Sequence, residues 1–103
     1  MFRVFFDMDG TLAEWKAAKE PEDLYEKDYF LSLKPYQSVV EAAWKLYESG
    51  EAEVFILSAV LADSRYAIPE KNAWLGEYLP WVDIDHRLYA VSYTHLTLPT
   101  NRE

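Results

Sequence analysis

The sequence predicts an α/β fold with a parallel sheet, and three segments in chain order carry that prediction. An apolar run at 2–7 predicts a first strand, a helical pattern follows at 38–49, and an apolar run at 53–58 predicts a second strand. Strand, helix and strand in this order favour a right-handed crossover between parallel neighbours. We therefore expect a Rossmann-like three-layer sheet, with helices on both of its faces.

The first strand is almost continuously apolar from Phe2 to Phe6, which is typical of a parallel strand buried on both faces. It runs directly into Asp7-Met8-Asp9-Gly10-Thr11, where two carboxylates are separated by one residue and followed by a glycine and a hydroxyl. Gly10 permits a bend of the backbone that turns both carboxylates into one site. The alternative is that the two aspartates only cap a turn after the strand.

This pair of carboxylates suits phosphoryl transfer. Asp7, held by the sheet, can attack phosphorus, as carboxylate nucleophiles do when they form aspartyl-phosphates. Asp9 can protonate the leaving oxygen and then take a proton from the attacking water. Both carboxylates are hard oxygen ligands, so we expect Mg²⁺ as the cofactor, with Asp7 and Asp9 among its ligands.

The next two elements are predicted from capping residues and periodicity. Ser38 or Gln37 can cap a helix that ends at Ser49, with Gly50 just past its end. Its predicted buried face contains Val39, Ala43, Leu46 and Tyr47. The second strand then ends in Ser58, whose hydroxyl can hold a phosphate oxygen because ligands gather at the carboxyl ends of parallel strands.

A second helix is predicted after a loop at Asp63 or Ser64, with Pro69 in its first turn. Its apolar pattern predicts burial of Trp74, Leu75, Tyr78 and Leu79. Lys71 falls near the start of this helix, where a lysine is unfavourable toward the helix dipole unless an anion lies nearby. A phosphate contact and a solvated surface lysine are both open for Lys71. The acids Asp83 and Asp85 are interpreted as solvated, and His86, at the start of a third strand, as structural.

The segment at 13–35 differs in character from the predicted core. It is rich in charged and aromatic residues and is punctuated by prolines, so we predict a small insertion with a helix at 21–27 that lies over the site as a cap. The aromatic residues Trp15 and Phe30 lie within it. Stacking of a nucleobase and packing of the cap onto the core are both open for these two side chains.

Composition narrows the class of partner. The 103 residues allow one domain, and the net charge of −8 disfavours nucleic-acid polymers and anionic membranes, because both are polyanions. The chain has no cysteine, which excludes disulfides and thiolate chemistry. The N-terminus lacks the pattern of a secretory signal, so we expect a soluble, cytoplasmic protein. A small nucleotide stays compatible with the charge, and a homodimer stays open.

The stretch Asp7-Met8-Asp9-Gly10-Thr11 resembles the first motif of the haloacid dehalogenase-like phosphatases. Over residues 1–90, the chain is most similar to 5'(3')-deoxyribonucleotidases of that superfamily, through Ile56-Leu57-Ser58, the stretch Glu70-Lys71-Asn72-Ala73-Trp74-Leu75 and the aromatic insertion. The resemblance implies Mg²⁺-dependent hydrolysis of nucleoside monophosphates. It implies that phosphate is bound by Gly10, Thr11, Ser58 and, as a secondary contact, Lys71. It also places Trp15, and more weakly Phe30, against the nucleobase.

The tail at 91–103 changes character abruptly. Residues 91–100 resemble a translated transposon-end sequencing adapter, since one adapter codon run encodes all ten without a mismatch. The alternative is a genuine C-terminal strand. The resembled family also needs a further acidic motif, which the sequence lacks. We therefore expect a truncated haloacid dehalogenase-like core at 1–90 followed by a non-native tail. The alternatives to a nucleotide phosphatase are a different small phosphatase, a receiver-like signalling module and an inactive fragment.

Overall fold

The computed structural model describes residues 2–15 and 24–92, which form a parallel sheet of three strands with two helices. Its elements are β1 (Phe2–Asp7), α1 (Gln37–Ser49), β2 (Ala52–Leu61), α2 (Ala67–Tyr78) and β3 (Arg87–Ser92), with a short 3-10 helix at Ile84–His86. The strand order is β1-β2-β3, and both pairs are parallel. The predicted α/β class with a parallel sheet is confirmed, and the arrangement is consistent with a Rossmann-like fold.

The register of the strands determines which residues meet at their carboxyl ends. Asp7, the last residue of β1, pairs with Leu57, so Ser58 comes one position beyond the end of the β1 ladder. The second strand continues to Leu61, three residues past the predicted end at Ser58, because β3 pairs with it as far as Ser92. The carboxylates after β1 and the hydroxyl of Ser58 therefore lie at the same edge of the sheet.

Both helices cover one face of the sheet. Alternate residues of β2 are buried, and Ile56 packs in one core cluster with Ala43 of α1 and Trp74 of α2. On the opposite face Phe5 and Leu57 are exposed. The described residues thus form two layers where three were expected.

The predicted burial of β1 is wrong. Phe2 is 77% exposed and Phe5 is 52% exposed. This strand lies at an edge of the described sheet, and Phe5 stacks on Phe55 across the uncovered face, with ring centroids 4.9 Å apart. The continuous apolar run at 2–6 therefore predicted a strand correctly, but the prediction that this strand is buried on both faces of the sheet was wrong.

The helix α1 ends at Ser49 as predicted, and Gly50 follows it in the left-handed conformation at φ 75°, but the helix begins at Gln37, earlier than the predicted start. Neither Gln37 nor Ser38 caps it, because the N-cap position is Tyr36 and no side chain caps the helix. Its buried residues are Val40 and Ala43, whereas Leu46 and Tyr47 of the predicted face are exposed. Tyr47 packs on the ring of Trp81, with centroids 4.7 Å apart, instead of entering the core.

The helix α2 begins at Ala67, so Pro69 lies in the first turn, where its missing N–H has no intrahelical partner to lose. Trp74, Leu75 and Leu79 are fully buried as predicted, and Tyr78 is half-buried. Neither helix of the described residues has the length and apolar character needed to cross a membrane.

The insertion contributes to the core. Tyr29, Phe30 and Leu33 are buried in the same cluster as α2. The helix predicted at 21–27 falls partly outside the described residues, and its described part, 24–27, contains no α-helix. Val91 and Ser92, the first residues of the predicted non-native tail, continue β3, and the rest of that tail also falls outside the described residues. The end of a strand accepts most side chains. The pairing of Val91 and Ser92 is therefore compatible both with a translated adapter and with a genuine C-terminal strand.

Candidate active site

A tight loop follows β1 and turns its carboxylates toward β2. The Met8 N–H donates to the Leu57 carbonyl at 3.1 Å, and the Met8 carbonyl accepts the N–H groups of Leu12 and Ala13 at 3.0 and 2.8 Å. Gly10 sits in the left-handed region at φ 81°, as the sequence predicts for the bend. Because the Met8 side chain is fully buried, it fixes the loop between the two aspartates.

The two aspartates and Ser58 share one cavity. It has a volume of about 180 Å³ and is lined by Asp7, Met8, Asp9, Leu57, Ser58 and Ala59. Asp7 is exposed, the Asp9 side chain is 23% exposed and Ser58 is buried. The structure therefore brings these three predicted residues together at the carboxyl ends of β1 and β2. On the adjoining loop, Gly10 is exposed and Thr11 is half-buried.

Lys71 completes the polar cluster. Its Nζ lies 3.0 Å from Asp9 Oδ2, 2.7 Å from Ser58 Oγ and 2.9 Å from the carbonyl oxygen of Ala59. The residue is only 1% exposed, so the alternative of a solvated surface lysine is wrong. Burial lowers the pKa of the Lys71 ammonium below its usual value, and the carboxylate of Asp9 opposes that shift.

The two oxygens of Asp9 have different surroundings. Oδ2 accepts the Lys71 contact and lies 3.4 Å from the Ser58 hydroxyl. Oδ1 is buried and has no hydrogen-bond partner among the described residues. Because buried polar atoms are normally paired, Oδ1 is an acceptor whose partner the described residues do not supply.

A second cavity, of about 160 Å³, adjoins this cluster. It is lined mainly by apolar side chains, together with Asp9, Ser64, Lys71 and Ser92, the last residue of β3. Trp15 and Phe30 both line it, and Trp15 is 59% exposed whereas Phe30 is 9% exposed. Phe30 therefore packs on the core, with its ring centroid 4.5 Å from Lys71 Nζ, and Trp15 forms an open wall.

Glu70 is a site residue that sequence reasoning missed. Its carboxylate is 7% exposed and accepts the backbone N–H groups of Asp28, Phe30 and Leu31, the last two at 3.1 and 3.3 Å. A buried carboxylate is stable only when it is paired in this way. Glu70 thus fixes the segment that carries Phe30. The available signal was the spacing of Glu70 and Lys71 from Trp74, which places all three on one helix face.

The remaining candidates lie away from the cluster. His86 Nδ1 is 3.1 Å from the Val54 carbonyl oxygen, toward the amino end of β2, and its ring stacks on Phe55 at 4.3 Å. Asp83 and Asp85 are both exposed. These positions agree with a structural interpretation of His86 and a solvated interpretation of the two acids.

The donors present suit a hard cation. Within residues 2–15 and 24–92, no group of three or more His, Cys, Asp or Glu side chains is placed to hold a metal ion. Asp7 and Asp9 still offer carboxylate oxygens at one cavity. Mg²⁺ commonly uses one or two carboxylates, with water and substrate phosphate as its other ligands. The residues therefore fit Mg²⁺.

Comparison of the chain with protein-family models finds no match, and comparison with curated proteins also finds none. The geometry of the cluster, together with the motif after β1, therefore carries the functional argument.

Proposed function

We propose that this chain carries the core of a Mg²⁺-dependent phosphatase of the haloacid dehalogenase-like superfamily, acting on nucleoside or deoxynucleoside monophosphates. The observation that supports it best is the contact of Lys71 with both Asp9 and Ser58, beside Asp7. Asp7, Asp9 and Ser58 share one cavity, and the Lys71 ammonium contacts the last two of them. A carboxylate nucleophile, a second carboxylate, a hydroxyl and an ammonium group together are suited to hydrolysis of a phosphomonoester.

The proposed reaction has two steps. In the first, an oxygen of Asp7 attacks phosphorus, the bond from phosphorus to the ester oxygen breaks, and the leaving oxygen takes a proton from Asp9. In the second, water attacks phosphorus and gives its proton to Asp9, inorganic phosphate leaves, and the Asp7 carboxylate is restored. Asp9 Oδ1 suits the proton, because Oδ2 is occupied by Lys71.

Mg²⁺ would be held by Asp7 and Asp9, and when bound it would offset the negative charge that the phosphate brings to these carboxylates. Lys71 and Ser58 would hold the other phosphate oxygens. The sequence ranked Lys71 as a secondary contact, but its burial and its distance of 3.0 Å from Asp9 favour a primary role. A buried ammonium that is already oriented stabilises developing charge without reorganisation.

The neighbouring cavity supports a nucleotide as the substrate. Trp15 and Phe30 line it together with Asp9 and Lys71, so a base could lie against aromatic walls while its phosphate reaches the polar cluster. Aromatic faces stack on bases with about 1–3 kcal/mol each. A sugar phosphate would leave these apolar walls uncovered, and for that reason we favour nucleotides over the other substrates of small phosphatases.

The test is release of inorganic phosphate from a panel of nucleotides and sugar phosphates, with Mg²⁺ and with a chelator. We expect preference for nucleoside monophosphates, dependence on Mg²⁺, and loss of activity in Asp7→Asn by at least about three orders of magnitude. Wild-type rates in Asp7→Asn would refute the nucleophile, and preference for sugar phosphates would refute the base pocket.

The same assay tests whether the chain is incomplete. It is run on the 103-residue chain and on a chain in which the genomic codons after Ala90 replace the tail. Activity in the second chain alone would support a truncated core that lacks an acidic motif. Absence of phosphate release from both would refute the proposed function.

A further inference from the structure

Ser64 has a buried hydroxyl that nothing in the described residues satisfies. It follows β2, and its backbone N–H donates to the Leu61 carbonyl at 3.1 Å, which fixes the local turn. Its Oγ is buried and has no hydrogen-bond partner in residues 2–15 and 24–92. Leaving such a hydroxyl unpaired is unfavourable, so an unpaired one indicates a missing partner.

The Ser64 residue lines the same cavity as Asp9. In the described part of the chain, the buried side-chain oxygens or nitrogens without a partner are Asp9 Oδ1 and Ser64 Oγ. Both residues line the same cavity of about 160 Å³, whose other walls include the apolar side chains of Phe30, Val60 and Ala67. A ligand that satisfies both oxygens has a polar group near Asp9, an apolar body, and a second polar group near Ser64.

We propose that Ser64 is a specificity-determining residue that hydrogen-bonds the polar edge of a nucleobase in this cavity. The inference rests on the proposed function, because it assumes that the phosphate lies at Asp9 and Lys71. A nucleobase has flat apolar faces for the walls and hydrogen-bonding groups at its edge. The Ser64 hydroxyl can both donate and accept, so it selects for a polar edge and not for one particular base.

The test compares two ligands of the same shape. Thymidine monophosphate and its difluorotoluene analogue have rings of nearly equal size, but the analogue has a much weaker hydrogen-bonding edge. Binding to the full chain is measured by calorimetry with a chelator in place of Mg²⁺, so that the natural nucleotide is not hydrolysed during the titration. We expect the wild type to bind the natural nucleotide about tenfold more tightly, and Ser64→Ala to bind both ligands equally. Ser49→Ala, an exposed serine at the end of α1, is the matched control and keeps the tenfold preference.

Each outcome bears on the inference. Equal binding of the two ligands by the wild type, binding of neither, or an unchanged preference in Ser64→Ala would overturn it. The difluorotoluene analogue also serves as an internal control, since undiminished binding of it shows that Ser64→Ala is folded.

Phosphate release is measured separately, so that the two proposals fail independently. A preference that depends on Ser64 without any phosphate release would support the base site and refute hydrolysis. Phosphate release with a preference that ignores Ser64 would do the reverse.

Discussion

Glu70 offers the most direct test of how the insertion is held. Its buried carboxylate accepts three backbone N–H groups, from Asp28, Phe30 and Leu31. Asp28 has a positive φ of 68°, a conformation that aspartate tolerates but that the surrounding contacts must stabilise. We predict that Glu70→Gln loosens this segment, because the new NH₂ group faces N–H donors where the carboxylate offered an oxygen.

The magnitude follows from which oxygen is lost. Oε1 accepts the N–H groups of Phe30 and Leu31, and Oε2 accepts that of Asp28. The glutamine amide therefore leaves either the Asp28 N–H or both the Phe30 and Leu31 N–H groups without an acceptor. Hydrogen bonds to charged groups contribute about 1.5–3 kcal/mol each, so we expect the free energy of unfolding to fall by about 2–4 kcal/mol.

The assay combines urea unfolding with limited trypsin digestion. We expect Glu70→Gln to lower the unfolding midpoint and to speed cleavage after Lys27, which precedes the anchored segment, more than cleavage after Lys45 in α1. Glu77→Gln, an exposed glutamate on α2, is the control for the change of one unit in net charge. Stability within about 0.5 kcal/mol of the wild type, with unchanged cleavage after Lys27, would refute the anchoring role.

Two further predictions concern the site and the sheet. Lys71→Met should lower kcat/KM for phosphate release by about 10²- to 10³-fold, because it removes the buried ammonium. The control, Lys45→Met on the exposed face of α1, should leave kcat/KM unchanged. Equal kcat/KM values in Lys71→Met and the wild type would refute a phosphate contact. Burial raises the pKa of Tyr89, which donates to Asn72 Oδ1 at 2.7 Å, and Arg87 opposes the shift. As pH rises, the Tyr89 hydroxyl therefore loses its proton in the unfolded chain before it does so in the folded chain. The free energy of unfolding should then fall above about pH 10, and urea unfolding should show a smaller fall in Tyr89→Phe than in the wild type. An equal fall in both proteins would refute that linkage.

The sequence could predict those parts of the site whose residues are neighbours in the chain, or whose positions follow from a general rule of sheet topology. Asp7, Asp9 and Gly10 are neighbours in the chain, and their pattern after a strand predicted the loop that the structure has. Ser58 is far away in sequence, but parallel strands joined by a right-handed crossover bring their carboxyl ends together. The pattern was therefore sufficient to place these residues at one edge.

Other features depend on packing, which the pattern does not specify. The apolar run of β1 predicted a strand covered on both faces, yet Phe5 lies on an uncovered face of the described sheet. The burial of Lys71 depends on the rotation of α2 over β2, and periodicity alone left its exposure open. The spacing of Glu70 from Trp74 indicated its helix face, but its partners are backbone N–H groups of the insertion, which leave no trace in residue type.

The placement of these side chains makes α2 the element that relates the two cavities. Lys71 holds Asp9 and Ser58, Glu70 holds the segment around Phe30, and Trp74 Nε1 donates to the Leu33 carbonyl at 2.7 Å. All three donor or acceptor groups leave the same face of one helix, whose internal hydrogen bonds make it stiff. The separation between the aromatic wall and the phosphate cluster is therefore set by helix geometry instead of by contacts between loops, and sites built on helices are held more accurately than sites built on loops. A substitution that shifts α2 should alter both cavities together, whereas one confined to Ser64 should alter only the recognition of the base.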